Sequence, residues 1–512
     1  MAAQLPVPWH AKFNLPALLK RASQIRNVAC SCDLSQRPRS GSLNWVIFLS
    51  FEDDVEWVFR SPTTSEYDIS LDIAGRMLKS EVATMKYIKL NSPIPVPDIF
   101  DYSSTKSNDI GIPYILMSKA PGTQLQEFRW DFFPVGKEST LIKPRPQLTQ
   151  TQKEKIMRQL GKITSQLLDL RFDKIGSLCQ EAGEYHVGDC FSPAFIFHDR
   201  HTLWDEMSRG PFEHDNDYYE ALILAFLLHV QALRLQHNVF FAPIPIHKDF
   251  ETPLSRKLAT NRWQDFVQVG AKIDSGKNRL DYCTVGQFLK QMILNISGKS
   301  FTTLAGLNDG FPLCHPDLST GNIFVNDDFN IICIIDWAFA STVPVSTCLI
   351  TPSMPHPRDD TDITLDSAFK AGFTEHCGSG RVITPELWEH ARRAWLFSRL
   401  VLLDGLQDYG YFKELFLSIH KPQEDINIPT LFKTAQKEDY LVELGKEIAD
   451  EEEYEPEILK QEYAIARKIT MVSGLSQSFV ADHRLWKWIE EIMQDLNSVK
   501  DDKIALGLIC SK

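Results

Sequence analysis

The sequence has no apolar run long enough to cross a bilayer. The longest run, Ala221 to Val230, contains His229 and is about half as long as the roughly 20 residues that a membrane-spanning helix needs. It therefore predicts a buried helix, and we expect no membrane partner.

The first residues lack the apolar core of a secretory signal, which predicts a cytoplasmic or organellar protein. They also lack acidic residues: the first acid is Asp33, and four basic residues precede it. The four are Lys12, Lys20, Arg21 and Arg26. A basic, acid-free start is typical of an ordinary first helix and of a mitochondrial presequence, so a mitochondrial location stays open beside the cytoplasmic one.

Positive charge is scarce, since 54 Lys and Arg face 67 Asp and Glu, for a formal net charge of −13. Nucleic-acid backbones are bound by clustered cations, so we expect no nucleic-acid partner. The ten cysteines show no repeated pair spacing and several lie in apolar segments, which predicts reduced, buried thiols. The sequence Cys30-Ser31-Cys32 lacks the second pair or nearby His of a zinc site.

The chain also lacks a nucleotide P-loop. The segment from Gly270 to Lys277 has one residue too many between its glycines, and Asn278 follows where a hydroxyl is required. Gly298-Lys299-Ser300 has the right ending, but Ile293 stands at the earlier glycine position. Any nucleotide must therefore be bound in another way.

The most informative segment is residues 313–340, which places His315, Asp317, Asn322 and Asp336 close together. Phosphoryl transfer from a nucleotide needs a group that orients the attacking hydroxyl and groups that hold magnesium. Asp317 would accept or align the hydroxyl proton. His315 more often braces such a loop than takes part in the chemistry.

The spacing of these residues has a structural explanation. Residues 323–325 and 331–335 read as two buried strands joined by a mostly polar turn, so they predict a hairpin. Asn322 leads into the first strand and Asp336 stands at the end of the second. The side-chain oxygens of these two residues then lie at one edge of the hairpin. Magnesium prefers such oxygen ligands. Asp and Asn are also common in turns for reasons unrelated to catalysis.

This segment resembles the catalytic loop and metal-binding strand of the aminoglycoside phosphotransferase and choline kinase superfamily, and further segments resemble its fungal branch. These segments are Gly41–Trp45, Glu56–Arg60, Pro93–Pro97, Pro113–Met117, Arg171–Leu178 and Gly210–Phe212. The resemblance covers roughly residues 10–420. It implies an α+β, bilobal, protein-kinase-like fold with a small antiparallel-sheet N-terminal lobe and a larger, mainly helical C-terminal lobe.

A chain of 512 residues exceeds the usual size of a single core, so at least two lobes are expected. With the resemblance, we predict a nucleotide-binding lobe at 1–120 and a helical lobe with the catalytic loop and substrate pocket at 121–430. A helical extension is predicted at 431–512. This extension includes a charged helix from Asp439 to Lys468, whose charged residues we interpret as a solvent-exposed face.

In the resemblance, Gly41, Ser42 and Asn44 belong to the loop that covers the nucleotide phosphates. Small polar residues let backbone N–H groups approach phosphate, but the three-glycine pattern is missing and a simple turn fits as well. The inter-lobe hinge, whose backbone would bind adenine, corresponds to Met117 and Ser118. Both also fit as ordinary residues of a core strand.

The resemblance also places Arg60 where the kinase-like fold has its phosphate-contacting Lys. Its expected partner is Glu81, on a helix from Gly75 to Leu90, because such an ion pair holds the cation over the phosphates. Arg binds phosphate through a fork of donors and does not replace Lys without effect. A surface Arg and a solvated Glu are the alternative.

Together these features predict an ATP- and Mg-dependent kinase that phosphorylates a hydroxyl of a small molecule. One alternative is a nucleotide-binding or scaffolding protein without turnover, suggested by Arg60 and the poor glycine loop. A protein kinase fits less well, because Asp336-Trp337-Ala338 lacks the Phe-Gly that supports a movable activation segment. The acceptor and the oligomeric state cannot be read from the sequence.

Overall fold

A computed structural model describes residues 12–450 apart from several gaps. The gaps are 42, 64–68, 131–144, 236–238, 240, 242–275, 298–306, 308, 356–359, 379–380, 382, 404, 406 and 423–425. The chain divides into two compact units, one with the described residues of 2–222 and 293–395, the other with those of 223–292 and 396–512. No helix in the described ranges combines the length and apolarity of a membrane span.

The first unit begins with a six-stranded antiparallel sheet in the order β1-β3-β4-β6-β5, with β2 paired to β3. The strands are β1 Cys30–Ser31, β2 Arg39–Ser40, β3 Asn44–Phe51, β4 Glu56–Pro62, β5 Ile99–Ser103 and β6 Tyr114–Ser118. Side chains of β3 alternate between buried and less buried positions, as a strand period of two requires.

Two helices cover the two faces of this sheet. They are α1 Leu15–Arg26 and α2 Leu71–Asn91. Leu18 of α1 packs in one cluster with Phe59, whereas Val82 of α2 packs in another with Val58 and Met117. Val58 and Phe59 are neighbours in β4, so the two clusters lie on opposite faces. The sheet is therefore buried on both sides.

The rest of the described chain is mainly helical. Its helices are α3 Gln150–Asp169, α4 Pro193–Ile196, α5 Asp215–Ala232, α6 Gly276–Ser297, α7 Val345–Cys348, α8 Ile363–His376, α9 Pro385–Leu402, α10 Asp408–His420, α11 Ile428–Ala435 and α12 Asp439–Asp450. Its strands are β7 Thr123–Gln124, β8 Arg171–Phe172, β9 Ser177–Glu181, β10 Glu184–Gly188, β11 Phe311–Cys314, β12 Ile323–Val325, β13 Ile331–Ile334 and β14 Ser341–Thr342. Short 3₁₀ helices lie at Leu125–Glu127 and Arg200–Glu206.

The predicted hairpin is formed by β12 and β13, which pair antiparallel with Ile323 opposite Ile334. Its turn is closed by Asn326, whose Oδ1 accepts hydrogen bonds from the backbone N–H groups of Asp328 and Asn330 at 3.1 and 2.9 Å. Helix α3 supports the turn, because Gln159 Oε1 accepts from the backbone N–H of residue 331 at 2.9 Å.

The predicted α+β class is confirmed, with an antiparallel sheet followed by a mainly helical chain. Residues 344–362, which follow β14, contain the short helix α7. The predicted charged helix at 439–468 is described as α12 as far as Asp450, and its remainder lies outside the described residues. The domain boundaries at 120 and 430 stay predictions.

Helices α3 and α8 approach closely at two glycines. A Cβ at Gly161 would lie 2.1 Å from the carbonyl oxygen of Phe369, and a Cβ at Gly372 would lie 2.0 Å from that of Arg158. These distances are shorter than any van der Waals contact. The two helices therefore need residues without side chains here, because a methyl group would meet rigid backbone.

We expect Gly161→Ala to destabilise the protein by about 1–3 kcal/mol, because the added methyl group overpacks this crossing although Ala favours helices. The control is Gly410→Ala in α10, where nothing lies within 4 Å of the added Cβ. That change should stabilise by up to about 1 kcal/mol. Urea unfolding of both variants measures the difference. A change in the free energy of unfolding that has the same sign in both variants would contradict the close-approach argument.

Candidate active site

The loop between β11 and β12 carries His315, Asp317 and Asn322, and its own bonds fix its shape. The backbone N–H of Asp317 donates to His315 Nδ1 at 3.1 Å, so the ring proton lies on Nε2, which bonds the carbonyl oxygen of Ile335 at 3.0 Å. The ring also meets Trp337 edge to face at 4.5 Å. Burial lowers the pKa of His315, in keeping with a neutral ring that braces the loop.

Asn322 fixes the carboxylate of Asp317. Its Nδ2 donates both to the backbone carbonyl and to Oδ2 of Asp317, each at 2.9 Å. Both bonds use the amide nitrogen, so Oδ1 of Asn322 is the atom suited to bind a cation.

Asp317 keeps a buried oxygen for other chemistry. Its Oδ1 has no hydrogen-bond partner among the described residues although it is shielded from solvent. Burial raises the pKa of the carboxyl group above its ordinary value. A buried, unsatisfied carboxylate oxygen costs stability, and such groups are typical of sites that bind or react.

Asp336 lies two residues beyond the end of β13, at the same edge as Asn322. The backbone N–H of Ile335 donates to the carbonyl oxygen of Asn322 at 3.0 Å, which holds the two strand ends together. The backbone of Asp336 is left-handed, with φ of 67°, a conformation that Asp tolerates better than most residues. Its half-exposed carboxylate is open to a ligand.

Arg60 and Glu81 form a buried ion pair. Nη1 of Arg60 donates to Oε1 of Glu81, and their side chains are only 9% and 3% exposed. Nη2 of Arg60 reaches Oδ1 of Asp336 at 3.3 Å. The guanidinium group thus joins β4, α2 and Asp336, which follows β13.

Asn44 completes the surroundings of Arg60. With its amide in the orientation that satisfies both polar atoms, its oxygen accepts from Nη2 and Nε of Arg60 at 2.7 and 3.3 Å. Asn44, Arg60 and Glu81 line a small cleft that has Met77 and Ala338 among its apolar walls. These apolar residues carried no sequence signal beyond that of core positions.

The other predicted nucleotide residues lie elsewhere. Gly41 closes the turn from β2 to β3, its N–H donating to the carbonyl oxygen of Asn44 at 2.8 Å, and Ser42 lies outside the described residues. In β6, the N–H of Ser118 donates to the carbonyl oxygen of Asp98 at 2.8 Å, and Met117 is buried between β4 and β5. Neither Met117 nor Ser118 lines the cleft. Their contact with nucleotide, like that of Gly41, stays a prediction.

The oxygens at the strand ends fit magnesium. Mg²⁺ is usually held by one or two carboxylate or amide groups together with phosphate oxygens. Asn322 Oδ1 and the Asp336 carboxylate supply such groups, and the unpartnered Oδ1 of Asp317 adds negative charge beside them. In the described part of the chain, no three His, Cys, Asp or Glu side chains are grouped so that they could hold a metal alone.

No protein-family model matches the sequence. A subtelomeric hrmA-associated cluster protein of Aspergillus fumigatus is 27% identical over 333 residues, which are 59% of this chain and 57% of that protein. Altered inheritance of mitochondria protein 9, mitochondrial, of Meyerozyma guilliermondii is 28% identical over 138 residues, 27% of this chain and 20% of that protein. The chain thus spans little more than half of the first relative and a fifth of the second.

Matches among solved structures include a phosphotransferase and a kinase, each with a TM-score below 0.5. A macrolide 2′-phosphotransferase of Brachybacterium faecium has a TM-score of 0.36 and 13% identity, over 80% of this chain and 100% of that chain. A Plasmodium vivax ethanolamine kinase has a TM-score of 0.34 and 11% identity, over 82% and 84%.

We expect Glu81→Gln to cost about 3 kcal/mol, because it leaves the buried Arg60 charge without its main partner. The matched control is Glu56→Gln, which breaks an ion pair with Lys119 whose side chains are 46% and 40% exposed. That exposed pair should contribute less than about 1 kcal/mol. Urea unfolding at pH 7 measures both, and similar losses would contradict a special role for burial.

Asp317→Asn should make the protein more stable at pH 7. The folded-state pKa of Asp317 lies above the unfolded value of 3.8, so ionisation of this carboxyl group disfavours the folded state at higher pH. The advantage of Asn should shrink as pH falls through the raised pKa and vanish below the unfolded one. Thermal unfolding between pH 3.5 and 8 measures it, and an unchanged difference across that range would disprove the pKa shift.

Proposed function

We propose that this chain is an ATP- and Mg-dependent phosphotransferase that moves the γ-phosphate to a hydroxyl group of a small molecule. The observation that carries the proposal is the pairing of Asp317 with Asn322, which fixes a carboxylate whose buried Oδ1 has no partner among the described residues. This is the arrangement that a base needs to receive a hydroxyl proton.

Each group then has a defined task. Asp317 Oδ1 aligns the acceptor hydroxyl and accepts its proton, while Asn322 Oδ1 and the Asp336 carboxylate hold magnesium. When bound, magnesium neutralises the charge of the phosphates. His315 keeps the loop in shape through its two ring nitrogens. Phosphoryl transfer needs positioning and charge more than covalent chemistry, so these few groups suffice.

Arg60 supplies positive charge to the phosphates from the wall of the cleft, and Glu81 holds it there. Asn44 orients the guanidinium fork. Gly41 and Ser42 remain the proposed backbone contacts of the nucleotide phosphates, although the N–H of Gly41 must leave the carbonyl oxygen of Asn44 to serve them. Met117 and Ser118 remain the proposed adenine contacts, although the N–H of Ser118 must leave the carbonyl oxygen of Asp98 to serve adenine.

A second candidate is a nucleotide-binding protein without turnover. One observation favours it: the donors of Arg60 are directed at Asn44, Glu81 and Asp336, so the guanidinium group is already engaged. This candidate has the same fold and the same ligands. It differs from the first in binding ATP without consuming it.

The proposed acceptor is a small molecule, as the names of the solved neighbours say of those proteins. The proposed location is the cytoplasm. The mitochondrion is the alternative, in line with the name of the yeast relatives and the basic start of the sequence.

The direct test is ATP consumption with magnesium across a panel of aminoalcohols, sugars and aminoglycosides. Acceptor-dependent turnover should fall by about 10²–10⁴-fold in Asp317→Asn, because that change removes the base. The control is Asp327→Asn, an exposed aspartate in the β12–β13 turn, which should keep full turnover. ATP binding without turnover on any acceptor would support the second candidate, and equal activity of both variants would refute the role of Asp317.

The pH dependence gives an independent check. Because burial raises the pKa of Asp317, kcat/KM should fall with decreasing pH at a pKa above the ordinary 3.8. The direction follows from the base, which acts only when it is deprotonated. A pH–rate profile with the active acceptor measures this, and an acid limb at or below 3.8 would contradict it.

A further inference from the structure

Helix α2 carries Glu81, so its rotation about its own axis decides whether Glu81 meets Arg60. Its C-terminal half and its N-terminal half both contact one continuous segment of the chain, residues 177–196. This segment consists of the β9–β10 hairpin and the stretch that follows as far as α4. We call residues 177–196 the α2 clamp.

The hairpin holds the C-terminal half of α2 through aromatic side chains. The ring of Tyr185, in β10, meets the ring of Tyr87 edge to face at 5.0 Å. Such pairs stabilise beyond the area they bury. His186, the next residue of β10, is exposed, as alternation along a strand requires.

The stretch after the hairpin holds the N-terminal half of α2. Arg76 forms an ion pair with Asp189, and its guanidinium carbon lies 5.4 Å from the ring centroid of Phe191. Below this pair, Met77 packs in a buried cluster with Phe191 and Ile196. Ionic, cation–π and apolar contacts therefore act together on one turn of the helix.

Two of the clamp contacts, at Arg76 and Tyr87, lie on one side of α2. Arg76 and Tyr87 are eleven residues apart, which at about 100° per residue puts them within about 20° of each other around the axis. Glu81 is five residues from Arg76 and so lies about 140° away. Met77, which packs against Phe191 and Ile196, is four residues from Glu81 and lies about 40° from it. The clamp therefore contacts α2 from two directions around its axis, which fixes the helix rotation that directs Glu81 at Arg60.

We propose that the α2 clamp is a positioning element that fixes the rotation of α2 and so keeps Glu81 paired with Arg60. Without these contacts, a small rotation of α2 would separate two buried charges. Within the proposed function, on which its kinetic consequence rests, the clamp keeps Arg60 oriented for the nucleotide phosphates. Neither Arg76 nor Tyr185 need touch substrate, so both are positioning residues.

The test is hydrogen–deuterium exchange of the full-length chain, read by mass spectrometry on peptides from residues 71–91. Arg76→Gln and Tyr185→Ala should each raise exchange there at least fivefold. Arg76→Lys, which keeps the charge, should restore most of the protection. His186→Ala, the matched control on the opposite face of the same strand, should leave it unchanged.

The location of the change decides the outcome. Faster exchange confined to α2 supports the clamp. Unchanged exchange in α2, or an equal increase in the β12–β13 hairpin, overturns it, because general destabilisation acts on both regions.

Nucleotide binding by the same variants tests the link to Arg60. Arg76→Gln and Tyr185→Ala should weaken ATP binding at least threefold and leave the KM for the acceptor unchanged. Looser α2 with unaltered ATP affinity would overturn the link. If the wild-type chain binds no ATP, the proposed function fails, while the exchange measurement still decides whether the clamp holds α2.

Discussion

The buried ion pair between Arg60 and Glu81 is the constraint on which the rest of the site depends. Removing two charges from water is costly, and their attraction offsets this cost only when their geometry is good. Strand β4 must therefore keep its register in the sheet, and helix α2 must keep its rotation about its own axis, so that Arg60 and Glu81 stay paired. Burial raises the pKa of Glu81, whereas Arg60 opposes that shift. The same guanidinium group reaches Asp336, so the strand ends of the hairpin depend on it too.

The loop between β11 and β12 satisfies most of its polar groups internally and leaves a few oxygens for ligands. Both ring nitrogens of His315 are hydrogen-bonded to backbone atoms, and the amide nitrogen of Asn322 donates to Asp317. What remains is Oδ1 of Asn322, Oδ1 of Asp317 and the exposed part of Asp336. A rigid loop with a small set of preorganised oxygens suits a reaction that is governed by charge and position.

The parts of this arrangement that depend on local pattern could be predicted from the sequence. The β12–β13 hairpin follows from two short apolar runs around a polar turn. Other parts could not. The bond from Ser118 to Asp98 joins residues twenty apart, and the β9–β10 hairpin, with exposed Glu184 and His186, has too little apolar alternation to stand out. Such features depend on contacts between segments that are distant in the sequence, and local sequence patterns do not reveal which segments meet.

The left-handed backbone of Asp336 limits how this position can drift during evolution. Only Gly, Asn and Asp adopt that conformation without much strain, whereas β-branched residues resist it. A lineage that no longer needed the carboxylate would therefore first acquire Asn or Gly here, and both preserve the shape of the chain after β13. Loss of the carboxylate and loss of architecture are thus separable in this scaffold, and a descendant without the carboxylate would look structurally intact.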